Sequence, residues 1–155
     1  MELLYTQCNL YNNCEEEYYI DKVMKSIKLR KDGNAAEDFT EAEKLYSEAI
    51  ELNVQQGRHM LYNNRSSVRL KLKNYEGALE DAIICQHIAP SKTSSHYYKG
   101  LLREADVYSE LGHHDKALNA TILAHKMQPS LLRSVEYKAL LAQRRRNVEQ
   151  QSVNH

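Results

Sequence analysis

Lys99 and Arg103 stand four residues apart, a separation that stacks two side chains on one face of a helix. Asn64 precedes Arg103 by 39 residues, the interval that also separates Ala78 from Ala117. A lysine, an arginine and an asparagine that share one cleft make a receptor for carboxylates. The lysine supplies a compact point charge, the arginine a rigid fork, and the asparagine an amide donor that turns to suit the ligand. That chemistry is recognition, not bond-making. No His-Glu-x-x-His, no Gly-x-Ser-x-Gly and no phosphate-binding Gly-x-x-x-x-Gly-Lys-Ser/Thr occurs, and nothing sets a nucleophile, a base and oxyanion donors together. The expectation is a chain that is not an enzyme and takes no cofactor and no metal. His113-His114 falls in a turn between helices and suits a turn or capping role. Cys8, Cys14 and Cys85 form neither a disulfide framework nor a zinc signature.

The elements that would carry these residues follow from internal repetition. Ala42, Tyr46 and Ala49, then Ala78, Ala82 and Cys85, then Ala117, Thr121 and Ala124 recur at offsets of zero, four and seven. Each triplet lies along one helical face. Phe39, Tyr75 and His114 precede the triplets by three residues. Pro90 and Pro129 follow the second and third at one identical distance, where they stop a helix. Val54 stands in that place in the first unit. The units are spaced by 36 and then 39 residues.

A period near ~34 residues with small residues on the second helix resembles the tetratricopeptide repeat. The resemblance covers roughly residues 25–130, with Leu61 through Pro90 as its best-matched unit. It implies an all-α fold, a right-handed superhelix of three helical hairpins with a C-terminal capping helix. The pattern predicts helices over residues 16–32, 37–53, 57–72, 75–88, 92–111 and 114–127, then a cap from Ser130 to Asn147. Leu131, Leu132, Val135, Ala139 and Leu140 offer that cap an apolar stripe. Residues 15–147 make one domain, with frayed tails at 1–14 and 148–155. Glu15-Glu16-Glu17 suits the first turn of a helix.

Stacked hairpins form a concave surface lined by the first helix of each pair, which would place Asn64, Lys99 and Arg103 in one trough. Asn64-Arg65-Ser66 and the Lys-x-x-x-Arg of Lys99 and Arg103 resemble the dicarboxylate-clamp co-chaperones of this family. Such domains grip the terminal Glu-Glu-Val-Asp of heat-shock chaperones of the ninety- and seventy-kilodalton classes. The resemblance implies that function and those partners here. It also implies two further site residues. The family's Leu-Lys-x-x-Gly-Asn segment is matched by Leu29-Arg30-Lys31-Asp32-Gly33-Asn34, so Arg30 and Asn34 complete a clamp of five. From Gly33 to Phe39 the chain is about three residues shorter than the family pattern. A gapless alignment would instead put Ile27 and Lys31 at the clamp positions. Removing about three residues is nearly one turn and preserves the facing to within ~60°, which favours Arg30 and Asn34. Arg65 reads as a packing or ion-pair residue. Tyr62, Tyr98 and Tyr108 read as repeat core, and Cys85 as an inert buried thiol.

Composition sets the remaining bounds. The 155 residues are 42% hydrophobic and 27% charged, with two prolines and five glycines, which suits one helical domain and disfavours a turn-rich sandwich. No apolar run reaches a membrane span, and the first residues lack the pattern of a secretory signal. Sparse cysteines suit a reducing, cytoplasmic setting. Residues 1–60 hold 7 basic and 12 acidic side chains, whereas residues 61–155 hold 14 and 9, so the second half suits an acidic partner. Arg144-Arg145-Arg146 would serve a nuclear import signal or nucleic acid, but a solvated helix end is the preferred reading. The rival to the chaperone adaptor is a repeat scaffold that recruits an unrelated protein through its groove or convex face. Were the domain part of an enzyme, the catalysis would lie outside these residues.

Overall fold

The computed structural model describes the backbone of residues 2–92 and 94–154, with side chains from Cys14 onward. Seven α-helices and one short 3-10 helix follow one another among the described residues, with no strand between them. They are α1 (Glu2–Ala35), α2 (Phe39–Glu51), α3 (Arg58–Lys71), α4 (Tyr75–Ile88), α5 (Ser95–Glu110), α6 (His114–Met127) and α7 (Val135–Val153). The 3-10 helix spans Pro129–Arg133, ahead of α7. Each helix packs on the next, and α3 also touches α5. Three hairpins stack in a superhelical array that α7 closes.

The repeated triplets drive the packing. All nine of their residues are buried, and Ala78, Ala82, Cys85, Thr121 and Ala124 are fully enclosed. Small side chains at these positions bring the axes of paired helices close together, and larger residues such as Leu61, Tyr62, Val68, Leu101 and Val107 fill the remaining space. Local chemistry sets the ends. Asp38 caps α2 by accepting from the Thr40 backbone N–H at 3.0 Å, and Asn74 caps α4 through the Gly77 N–H at 3.1 Å. The helices α4 and α6 run over the residues that the repeat pattern predicts.

A buried ionic cluster ties the first two hairpins together. Asp81 on α4 is fully buried. It accepts two bonds from Arg65, at 2.9 and 2.8 Å, and a third from Arg69 at 3.1 Å. Arg65 also donates to Ser47 on α2 at 3.0 Å, and Arg69 to Glu43 at 2.7 Å. Arg65, read from the sequence as a packing or ion-pair residue, is an ion-pair residue. Three donors on one carboxylate, from two guanidiniums, satisfy a charge that would otherwise be costly to enclose.

Five expectations are corrected. The helix α1 begins at Glu2, not at residue 16, so its backbone is helical through the segment read as a tail. The helix α7 likewise continues to Val153, through most of the residues read as a second tail. Its start lies at Val135 and not at Ser130, because Ser134 is extended and caps it, accepting from the Tyr137 N–H at 3.2 Å. The buried face also differs from the expected stripe. It is Tyr137, Leu141 and Arg144, while Leu132 is exposed and Val135 is 75% exposed. Arg144 is therefore no solvated helix end: its side chain is 4% exposed. Finally, α5 starts at Ser95, after an extended Ser94, and not at Lys92. The side chain of Cys8 lies outside the described residues; Cys14 is an exposed free thiol and Cys85 a buried one.

Candidate peptide-binding groove

The first helix of each hairpin carries the candidate residues: Arg30 and Asn34 on α1, Asn64 on α3, and Lys99 and Arg103 on α5. Asn34 and Asn64 meet directly. The Asn34 Oδ1 accepts from the Tyr46 hydroxyl at 2.7 Å and from the Asn64 Nδ2 at 3.0 Å. Two donors fill the two lone pairs of that oxygen, and the Asn34 side chain is otherwise exposed. Of the two alignments, the gapped one names the residue, Asn34, that bonds Asn64.

Close approach of α1 to α2 makes this contact. A Cβ on Gly33 would sit 2.7 Å from the Tyr46 ring, so only glycine lets the tyrosine lie flat against α1. Tyr46 is buried, which raises its pKa, with the nearby Arg30 charge and the Asn64 hydrogen bond opposing the shift. The hydroxyl therefore stays a donor at neutral pH. Arg30 forms no ion pair among the described residues, and it edges a cavity of about 160 Å³ that Val23, Ile27, Met60 and Leu61 line. A cation beside an apolar recess suits a ligand that is both acidic and aliphatic.

On α5, Lys99 is exposed and has no acid within ion-pair range among the described residues. Arg103 is half-buried. Its Nη1 donates to Asp106 Oδ2 at 3.2 Å, and its Nε is enclosed without a partner. Both cations lie near Cys85 on α4. Their charges work against its upward shift, yet burial wins and the thiol reaches a pKa of about 11. It is inert at neutral pH, in keeping with its small-residue position.

The rings of His59 on α3 and His96 on α5 touch, with centroids 4.0 Å apart and a tilt of 50°. This contact aligns the two helices. From it, Asn64 lies about 7.5 Å further along α3, and Lys99 and Arg103 lie about 4.5 and 10.5 Å further along α5, at 1.5 Å per residue. Burial lowers the pKa of both histidines, helped by His96 in the case of His59 and by Lys99 in the case of His96. The pair is neutral at pH 7.

Other candidates resolve into structure. Tyr62 is buried, with the Arg65 guanidinium 5.4 Å from its ring centroid. Tyr98 and Tyr108 are half-buried. His113 sits just before α6, edge-on to Tyr108 at 6.3 Å, without capping the helix through its side chain. No group of three metal-ligating side chains gathers among the described residues, and no helix there is long and apolar enough to cross a membrane. Sequence reasoning missed the Tyr46 hydroxyl, Asp106 and Arg144. The signal for Arg144 was present: with Tyr137 and Leu141 it repeats the offsets of zero, four and seven.

No protein-family model matches the chain. It is 32% identical over 113 residues to a STIP1 homolog of Dictyostelium discoideum, covering 71% of this chain and 19% of that protein. It is 36% identical over 91 residues to the heat shock protein STI1 of Saccharomyces cerevisiae, covering 57% of this chain and 14% of that one. The chain thus spans about a fifth or less of these relatives. Among solved structures, the Sgt2 repeat domain from Aspergillus fumigatus superposes with a TM-score of 0.69 at 23% identity, covering 82% of this chain and 81% of that one. The first repeat domain of Spaghetti (RPAP3), solved with the HSP90 peptide SRMEEVD, gives 0.68 at 18% identity, covering 81% and 94%. The TPR2B domain of yeast Sti1, solved as a complex with pHsp70, gives 0.67 at 20% identity, covering 83% and 98%. With its three stacked hairpins, phased small-residue triplets and capping helix, this chain has the fold of a tetratricopeptide-repeat domain.

Proposed function

We propose that this domain is a non-catalytic adaptor that grips the acidic C-terminal tail of a heat-shock chaperone of the ninety- or seventy-kilodalton class. The observation that carries the reading is the contact of Asn34 with Asn64, made from two successive groove helices and oriented by Tyr46. The Asn34 Nδ2 would hold the terminal carboxylate, with the Asn64 amide beside it. Lys99 and Arg103 would neutralise it and the carboxylate of the last aspartate, and Arg30 would add a third cation at the far side. The similarity to STI1-type proteins and to repeat domains solved with HSP90 and Hsp70 peptides supports this assignment. Few contacts must offset the ordering of an extended peptide, so affinity should be micromolar, about −8 kcal/mol.

Calorimetric titration with Met-Glu-Glu-Val-Asp, free and C-terminally amidated, tests the assignment. The free peptide should bind and the amidated one should fail. Equal binding of both would favour a scaffold that reads some other feature of its partner, and no binding of either would remove the chaperone tail as ligand.

A further inference from the structure

The capping helix reaches the groove through one carboxylate. Asp106 stands three residues after Arg103 on α5 and shares its face. An acid there would be expected to neutralise Arg103 and to repel an acidic peptide. The structure gives this acid a second partner. Arg144 of α7 donates its Nη2 to Asp106 Oδ1 at 2.6 Å, whereas Arg103 approaches Asp106 Oδ2 at 3.2 Å. Arg144 is 4% exposed and Arg103 26%. The Arg144 Nη1 donates at 2.5 Å to the Thr121 hydroxyl, which itself donates to the Ala117 carbonyl at 2.7 Å. Asp106 is the only acid paired with this enclosed guanidinium among the described residues. An enclosed charge needs its counter-ion far more than a part-exposed one does, so the Asp106 carboxylate belongs first to Arg144.

We propose that Arg144 is a positioning residue for carboxylate binding: by engaging Asp106 from the capping helix, it keeps the charge and the free donors of Arg103 available to the ligand. This rests on the clamp reading and deepens it. Two guanidiniums share one carboxylate, so the cluster keeps a net positive charge at the groove. The Arg103 Nε is enclosed without a partner, so it is the outer edge of the part-exposed guanidinium that would meet a ligand. The consequence is that α7 does more than cover the last hairpin: its seating sets the strength of the site.

The test is calorimetric titration of Met-Glu-Glu-Val-Asp into the full chain and four variants, with thermal melts to confirm folding. Arg144→Gln keeps a donor for Thr121 but frees Asp106 to capture Arg103, and affinity should fall about tenfold. Asp106→Asn should bind about threefold more tightly than the parent. Combining the two should return affinity to within about threefold of the parent, a rescue that loss of packing at α7 would not give. Unchanged affinity in Arg144→Gln, or no recovery in the double variant, overturns the proposal. Should Arg144→Gln not fold, Asp106→Asn decides alone: tighter binding supports the relay, and equal or weaker binding refutes it. Lys99→Ala separates the two levels. If Lys99→Ala abolishes binding while Arg144→Gln binds like the parent, only the relay fails; if Lys99→Ala binds normally, the clamp reading fails and takes the relay with it.

Discussion

Asn64 donates its side-chain amide to Asn34 at 3.0 Å, joining two helices across thirty residues of chain. The bond leaves the Asn34 amide hydrogens uncommitted, because its oxygen alone takes the two donors. Asn64→Asp preserves shape but removes both donors and places a negative charge where a carboxylate should bind. Pentapeptide affinity should fall by more than about tenfold, while the thermal midpoint changes little because the bond is exposed. Titration calorimetry beside a melt distinguishes the two effects.

Lys99 has no acid to hold it among the described residues, so its charge is free for a ligand. Lys99→Ala should reduce pentapeptide binding sharply with no loss of stability. Binding by the parent protein should weaken steadily as salt is raised, since part-exposed charge attraction is screened within about 8–10 Å at physiological ionic strength. A titration series at low and high salt reads this directly, and a flat response would argue against electrostatic capture.

Asp81 is the anion of the cluster between the first two hairpins, paired with Arg65 and Arg69. Asp81→Ala leaves two part-buried guanidiniums with Glu43 as their one remaining acid. The expected cost is about 3–5 kcal/mol, the range seen when one partner of a buried pair is removed. Urea unfolding measures it, and a cost below about 1 kcal/mol would show that the cluster is readily replaced by water.

Lys73 adopts φ 61° at the turn between α3 and α4, and Gly112 takes the equivalent place before α6 with φ 77°. A side chain at positive φ costs energy that glycine avoids. Lys73→Gly should therefore stabilise the domain by about 0.5–1 kcal/mol, visible as a higher melting midpoint, without affecting the pentapeptide titration.

The His59–His96 contact makes stability depend on pH. Both pKa values are held below the ordinary 6.5 by burial first, and then by the neighbouring His96 or Lys99 charge. The unfolded chain thus takes up protons that the fold resists. This contribution is complete above about pH 6.5 and is lost as the pH falls through that value towards the depressed folded values. Urea midpoints should drop between pH 7.5 and 5.5, and His59→Gln should shrink that drop. An equal drop in the variant would assign it to other groups.

The sequence by itself determined the hairpins. Spacings of zero, four and seven are a property of a single helix, so the triplets announce their buried faces without knowledge of any partner. The same local logic marked α4 and α6 from their prolines and turn residues, and marked Arg65 as a packing or ion-pair residue. The apolar stripe through Val135 misread the buried face of α7, which packing on α6 decides: Tyr137, Leu141 and Arg144 turn inward. The bond of Tyr46 to Asn34 was not legible either, since it depends on how α1 crosses α2 at Gly33. The candidate cations were visible as spacing on one helix, but their freedom was not. Whether Arg103 is neutralised depends on Asp106, and which way Asp106 turns depends on Arg144, thirty-eight residues further along. Only the seating of one helix against another decides that, because a carboxylate goes to the counter-charge most starved of water.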